Sequence, residues 1–103
     1  MNRIEKLQEY LLASPQDNFL QHALALEFIK IDKDADAKNL FEEILQRDPG
    51  YVGSYYHLGK LLERLNDAMQ AKHVYTNGMS EAKKSGDKHA YNELQGALEE
   101  LED

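Results

Sequence analysis

The fold is decided by residues 55–75, which read YYHLGKLLERLNDAMQAKHVY. Apolar side chains recur at helical spacing on both sides of the polar pair Asn66-Asp67, which is the pattern of two amphipathic helices joined by a short turn. Gly59 and Ala71 are small, which allows two helices to approach closely, and the bulky Tyr75 fills the space beside them. The stretch therefore predicts an antiparallel pair of helices.

The same pattern occurs one unit earlier in the chain. Pro15 and Pro49 are 34 residues apart, and each lies between two apolar helical segments. A shift of 34 residues superimposes pairs of similar size or character: Leu24 on Leu58, Ala25 on Gly59, Phe28 on Leu62, Ala37 on Ala71, Phe41 on Tyr75 and Leu45 on Met79. Because one helix pair cannot bury its apolar face alone, we expect the two units to stack.

Helical periodicity extends along almost the whole chain, and strand-like alternation is absent from the sequence. We therefore predict an all-α protein of about six helices, at roughly residues 2–13, 17–31, 35–47, 51–65, 68–84 and 87–102. The chain has 103 residues, of which 42% are hydrophobic, so we expect a single domain.

These residues resemble the tetratricopeptide repeat family, whose helix-turn-helix unit has the signature W-x2-L-G-x2-Y, then A-x3-F, then P. The first full unit has, at these positions, Leu24, Ala25, Phe28, Ala37, Phe41 and Pro49. The second unit has Tyr55, Leu58, Gly59, Leu62, Ala71 and Tyr75. Lys83 stands where the second proline is usual. The resemblance implies a right-handed superhelical array of antiparallel repeats, in which these residues pack the helices together.

The repeat register divides the single domain, residues 1–103, into four parts. They are an N-terminal half-repeat helix (1–15), two full repeats (18–51 and 52–85) and a C-terminal capping helix (86–103). The last helix departs from the register, because its apolar stripe lies about two residues late: Tyr91, Leu94, Ala97, Leu98 and Leu101. Its other side is polar, as suits the end of an array.

Charge and composition limit the possible partners. Twelve Lys and Arg against nineteen Asp and Glu give a net charge of −7, so we expect no nucleic-acid partner. The absence of cysteine excludes disulfides and thiolate metal sites.

Charged residues at Arg3, Glu5 and Lys6 interrupt the apolar run that a signal peptide needs, and no segment reads as a membrane span. We therefore expect a cytoplasmic protein with no membrane partner.

Four carboxylates have the spacing of an EF-hand calcium loop: Asp32, Asp34, Asp36 and Glu43. The loop requires glycine at the position of Ala37, however, and Ala37 instead begins a continuous helical face. Calcium binding at residues 32–43 is thus a minor alternative. In the repeat interpretation, Asp34 caps the following helix, and Asp36 lies in its first turn near the positive end of the helix dipole.

The sequence shows no arrangement typical of an enzyme. The four histidines lie one per predicted helix, without the paired spacing of metal ligands: His22, His57, His73 and His89. The serines lack the motifs of activated nucleophiles, and the glycines form no phosphate-binding loop. We therefore predict a protein without enzymatic activity, metal ion or cofactor.

The family resemblance also implies where a partner would bind, since the first helices of such repeats line a concave groove that holds peptides or partner helices. The groove positions hold Phe19, His22, Leu26, Ile29 and Lys30 in the first unit, and Tyr56, Lys60, Glu63 and Arg64 in the second. The clamp that some members use for acidic chaperone tails is missing, because His22, Leu26 and Lys60 occupy its Lys and Asn positions.

We therefore expect a protein-protein interaction module or scaffold whose groove binds a protein or peptide. Lys30, Lys60 and Arg64 favour an acidic, amphipathic partner. The alternative is self-association through the apolar faces of the terminal helices. The sequence thus leaves both a monomer and a weak homodimer open.

Overall fold

The computed structural model describes residues 2–102, and within this range the chain forms six α-helices and no strand. The helices are α1 (Arg3–Ala13), α2 (Asn18–Lys30), α3 (Asp34–Arg47), α4 (Gly53–Arg64), α5 (Ala68–Ser85) and α6 (Lys88–Glu102). The all-α prediction is confirmed, and every predicted helix end lies within about two residues of the observed one.

Four helices begin at an Asn or Asp side chain that accepts a hydrogen bond from a backbone N–H three residues later. The pairs are Asn2 with Glu5 at 2.8 Å, Asp17 with Leu20 at 3.0 Å, Asp67 with Gln70 at 3.1 Å and Asp87 with Ala90 at 3.0 Å. The prediction that Asp34 caps α3 is wrong. Lys33 precedes this helix without a side-chain cap, while Asp34 is already helical and pairs with Arg64.

The turns inside the two hairpins have the same backbone conformation. Asp32 has φ 60° and Asn66, 34 residues later, has φ 63°, both in the left-handed region that ends many helices. In each turn the following N–H bonds back to a carbonyl near the end of the preceding helix, from Lys33 to Phe28 and from Asp67 to Leu62, at 2.9 Å in both cases. The repeat seen in the sequence is therefore also a repeat of backbone geometry.

Each helix packs against the next one in the chain, and α4 also contacts α6. Stacking of the hairpins gives an elongated molecule of 43 × 29 × 19 Å. The largest fully buried side chains include Tyr75, Phe41 and Ile44, and the alanines at the close helix contacts, Ala25, Ala37 and Ala71, are also fully buried. A smaller cluster joins α1 to α2 through Leu7, Ala23 and Leu24.

Most of the repeat-signature residues are buried, with two exceptions. Phe28 is half-buried between the two hydrophobic clusters. Pro49 is exposed, and its carbonyl oxygen accepts a hydrogen bond of 2.6 Å from the hydroxyl of Tyr55. This proline therefore acts through its backbone, which fixes the phenol of the following repeat.

Two glycines permit the closest helix contacts. A Cβ atom at Gly59 on α4 would overlap the ring of Tyr75 on α5. A Cβ atom at Gly78 on α5 would lie 2.7 Å from the Cβ of Tyr55 and 2.8 Å from Leu94 of α6. These contacts place α6 on the end of the array, with Leu94 and other apolar side chains turned inward. Over residues 2–102, the helices are all too short or too polar to cross a membrane.

Candidate partner-binding groove

Helices α2 and α4 carry the side chains that were predicted to line a groove. On α2, Phe19 and Lys30 are exposed, whereas three others are half-buried: His22, Leu26 and Ile29. On α4, Arg64 is exposed and three others are half-buried: Tyr56, Lys60 and Glu63. The predicted residues therefore range from open surface to the edge of the core.

A continuous row of side chains crosses from α2 to α4. The ring centroid of His22 lies 5.4 Å from that of His57, which lies 5.7 Å from that of Tyr56. The ammonium of Lys60 lies 5.7 Å from the centroid of the Tyr56 ring and 3.7 Å from the carboxylate of Glu63. We call these five residues the inner row: His22, His57, Tyr56, Lys60 and Glu63.

His22 links three helices at the start of the inner row. Its Nδ1 lies 2.8 Å from the hydroxyl of Ser54 on α4, and its ring lies 5.5 Å from Phe41 of α3 in an edge-on contact. Burial lowers the pKa of His22 to about 4, and the nearby His57 lowers it further. Burial also lowers the pKa of His57. Both rings are therefore neutral at pH 7.

Glu63, at the other end of the inner row, is hydrogen-bonded by a residue of α5. The hydroxyl of Tyr75, a fully buried residue of α5, donates a hydrogen bond to the Glu63 carboxylate. Burial and this carboxylate raise the pKa of the Tyr75 phenol well above its ordinary value. Lys60 also lies 3.6 Å from Glu100 on α6, so its ammonium stands between two carboxylates. The surface around Lys60 is consequently less basic than the sequence suggests.

Arg64 belongs to a joint between the repeats and not to the inner row. Its guanidinium donates to both carboxylate oxygens of Asp34, through Nε at 3.0 Å and through a second, shorter bond from Nη2. It also donates to the carbonyl oxygen of Ile29 at 3.4 Å. Arg64 thus ties the end of α4 to the turn between α2 and α3.

The remaining predicted residues stand apart from the inner row. Leu26 and Ile29 pack against the main core. Lys30 is 2.9 Å from Glu27, and this hydrogen bond lowers the pKa of the Glu27 carboxyl. Phe19 is 68% exposed in the first turn of α2, where an apolar ring remains available for contact.

Sequence reasoning missed His57 and Glu100. His57 had been treated only as a scattered histidine, although it follows Tyr56 directly and connects it to α2. The apolar stripe of α6 lies about two residues late, so each position of α4 corresponds to the residue about 36 positions later. Glu100 is therefore the equivalent of Arg64 on α6. Its pairing with Lys60 needs the three-dimensional contact between α4 and α6.

The segment 32–43 does not have the form of a calcium loop. Helix α3 begins at Asp34 and runs through the rest of the segment, and the Asp34 carboxylate is engaged by Arg64. Among the residues that the structure describes, no group of three or more potential ligands is placed to hold a metal ion. Asp32 instead lies in the hairpin turn, and Asp34 and Asp36 lie in the first turn of α3.

Stacked helical hairpins define the class of the protein, and comparison with known proteins identifies the family. The model of the tetratricopeptide repeat family matches residues 40–73. A tetratricopeptide repeat domain protein from Salinibacter ruber, solved by crystallography, is 44% identical, with 84% of this chain and 96% of that one covered and a TM-score of 0.80. Its solution structure gives a TM-score of 0.82 at 44% identity, with 85% of this chain and 89% of that one covered.

A protein from Bordetella parapertussis is also similar, with 25% identity, coverage of 98% of this chain and 88% of that one, and a TM-score of 0.84. A comparison with curated proteins gave no match. The chain belongs to the tetratricopeptide repeat family. Repeats of this family are in general protein-protein interaction modules without enzymatic activity.

Proposed function

We propose that the protein binds a peptide or partner segment along the inner row, in the groove formed by α2 and α4. The observation that carries the proposal is the contact chain from His22 through His57 and Tyr56 to Lys60, which joins two repeats by half-exposed rings and one base. A surface of this kind offers an apolar anchor and a charged group side by side.

The anchor for the partner is the aromatic part of the row. Tyr56 is half-buried, and the neutral rings of His22 and His57 lie beside it, so an apolar side chain can pack there without burying a charge. The exposed ring of Phe19 extends the apolar character of α2. The partner segment therefore carries an apolar side chain that packs on these rings.

Lys60 is the base that receives a carboxylate of the partner. Its present partner Glu100 is 74% exposed, and exposed ion pairs contribute only about 0–1 kcal/mol, so exchange for another carboxylate costs little. Arg64 is less suited to this role because it already bonds two groups of the hairpin turn. An acidic, amphipathic segment thus fits the groove.

The test is a titration of a short synthetic peptide of Glu and Phe, compared with a twin that has Lys in place of Glu. Lys60→Glu is expected to weaken binding of the acidic peptide about tenfold, since an attraction becomes a repulsion. Lys84→Glu is the matched control, because it makes the same charge change at an exposed lysine on α5. Equal binding of both peptides, or an equal loss in both variants, would contradict the proposal.

Self-association is a second candidate function, and it rests on α1. Tyr10 is 53% exposed and Leu12 is 85% exposed on this helix. In α6, by contrast, Leu94 and Ala97 are buried against the array, so its apolar face is already covered. Sedimentation over a range of concentrations tests this candidate. A monomer at high concentration excludes it, and a dimer that Leu12→Lys abolishes supports it.

A further inference from the structure

A second open furrow runs between α3 and α5, with a volume of about 440 Å³. Tyr55 and Leu58 of α4 form its floor, while Leu45 of α3 and Val74 of α5 lie on its walls. We call it the outer furrow. It shares no residue with the inner row, so any binding here is independent of the function proposed above.

The outer furrow combines apolar and polar surface, since Gln46, Asn77 and Ser80 line it together with the apolar side chains. The Tyr55 hydroxyl is already used by the carbonyl oxygen of Pro49 at 2.6 Å, so the phenol presents its ring to the furrow. Leu45 and Val74 are only half-buried. An apolar side chain that entered between them would cover surface that water now contacts.

The two charged side chains that line the outer furrow are both acidic. Glu42 lies on the α3 side and Glu81 on the α5 side, and the residues lining the furrow include no Lys or Arg. Each of these carboxylates pairs with a lysine of its own helix that does not line the furrow. Lys38 lies 3.9 Å from Glu42, and Lys84 lies 3.2 Å from Glu81. The net charge of −7 would also steer positively charged segments toward the protein.

From this charge complementarity we propose that the outer furrow binds a basic amphipathic segment of another protein. One apolar side chain of the segment inserts between Leu45 and Val74, and its Lys or Arg side chains pair with Glu42 and Glu81. The protein would then use two faces with opposite charge preference, one acidic furrow and one groove with a base.

The test uses a short synthetic peptide of Leu and Lys at amphipathic spacing, titrated onto the full chain and followed by the NMR shifts of backbone amides. Shifts are expected at Val74, Asn77 and their neighbours, and binding should weaken as salt is added. Glu42→Lys/Glu81→Lys should weaken binding about tenfold. The matched control is Glu9→Lys/Glu99→Lys, which changes the net charge equally at exposed positions elsewhere.

A second variant tests the site without changing charge. Asn77 is exposed and lines the outer furrow, so Asn77→Trp should fill it and weaken binding several-fold while the fold is kept. Tyr56→Ala, in the inner row, should leave this binding unchanged. Shifts confined to the inner row, equal losses in the two charge variants, or furrow shifts that grow with protein concentration without peptide would overturn the proposal.

Discussion

Gly59 shows how far the fold depends on the absence of one methyl group. Its Cβ position is occupied by the ring of Tyr75, a fully buried residue that cannot move aside within the core. Gly59→Ala is therefore expected to lower the free energy of unfolding by about 3 kcal/mol, measured by urea denaturation.

Gly96 provides the matched control for this prediction. It lies inside α6 with no atom within 4 Å of a Cβ position, so Gly96→Ala should raise the free energy of unfolding by about 0.5–1 kcal/mol through helix propensity. Equal effects at the two glycines would show that α4 and α5 do not meet as described.

The left-handed residues of the two hairpin turns give a second test. Because alanine tolerates a positive φ poorly, Asn66→Ala should lower the free energy of unfolding by about 1 kcal/mol, whereas Asn66→Gly should not lower it. The same pair of changes at Asp32, the equivalent residue of the first repeat, should give the same order. Urea denaturation of the four variants checks this. A lower stability for both glycine variants than for both alanine variants would contradict the turn geometry.

The half-buried pair His22 and His57 makes stability depend on pH. His22 has a folded pKa of about 4 against 6.5 in the unfolded chain, so only the unfolded state gains this proton between these values. Stability should be complete above pH 6.5 and fall as the pH approaches 4, by about 1–2 kcal/mol after allowance for the partial exposure of the ring.

Comparison of two double variants tests the origin of this pH dependence. His22→Gln/His57→Gln should flatten the fall in urea stability below pH 6.5. His73→Gln/His89→Gln, at exposed positions, should keep the profile of the original protein. If the second variant were the flatter one, the inner row would not be the cause.

At the residue scale, the sequence predicted packing better than polar contacts. Gly59 and Ala71 could be recognised because a close helix contact admits only small residues at fixed spacing. The role of Asp34 could not, since its pairing with Arg64 joins residues 30 positions apart and requires the stacked arrangement. His57 was missed because aromatic contacts between helices leave no local pattern.

At the scale of the helices, α6 is the element on which the end of the array depends. Its Leu94 and Ala97 are buried, and Leu94 lies against the position of Gly78 on α5. Removal of residues 87–103 would therefore expose the core around Tyr55 and Tyr75, and we expect loss of the cooperative unfolding transition, measured by circular dichroism.

Removal of α1 is the matched comparison. This helix buries only Leu7 fully and contributes to the smaller cluster, so a chain that begins at Gln16 should still unfold cooperatively, with lower stability. The reverse result, a cooperative chain without α6 and an unfolded chain without α1, would contradict the division of the core described above.

The helices themselves were predictable because their apolar spacing and turn residues are local signals. The ends were placed within about two residues for the same reason, since Asp17, Asp67 and Asp87 are typical helix-start residues. The shift of α6 relative to the repeat was visible in its apolar stripe. The consequence, that Glu100 reaches Lys60, required knowledge of how α4 and α6 pack.

For the whole molecule, the sequence predicted the array but not the balance of charge on its faces. Lys60 and Arg64 read as a basic groove when counted along the chain, yet each is paired in the fold, with Glu63 and Glu100 and with Asp34 respectively. The outer furrow was not predicted at all, because its walls come from α3 and α5 of different repeats. Such surfaces exist only after stacking.

The central claim is that partners bind along the inner row, and site-specific photo-crosslinking tests it most directly. A photoreactive phenylalanine analogue placed at Tyr56 in the full chain should capture a partner segment, and Lys60→Glu in the same chain should reduce the yield. The same analogue at Glu9, exposed on α1, should capture nothing comparable. Equal yields at Tyr56 and Glu9, or a yield at Tyr56 that Lys60→Glu leaves unchanged, would contradict the claim.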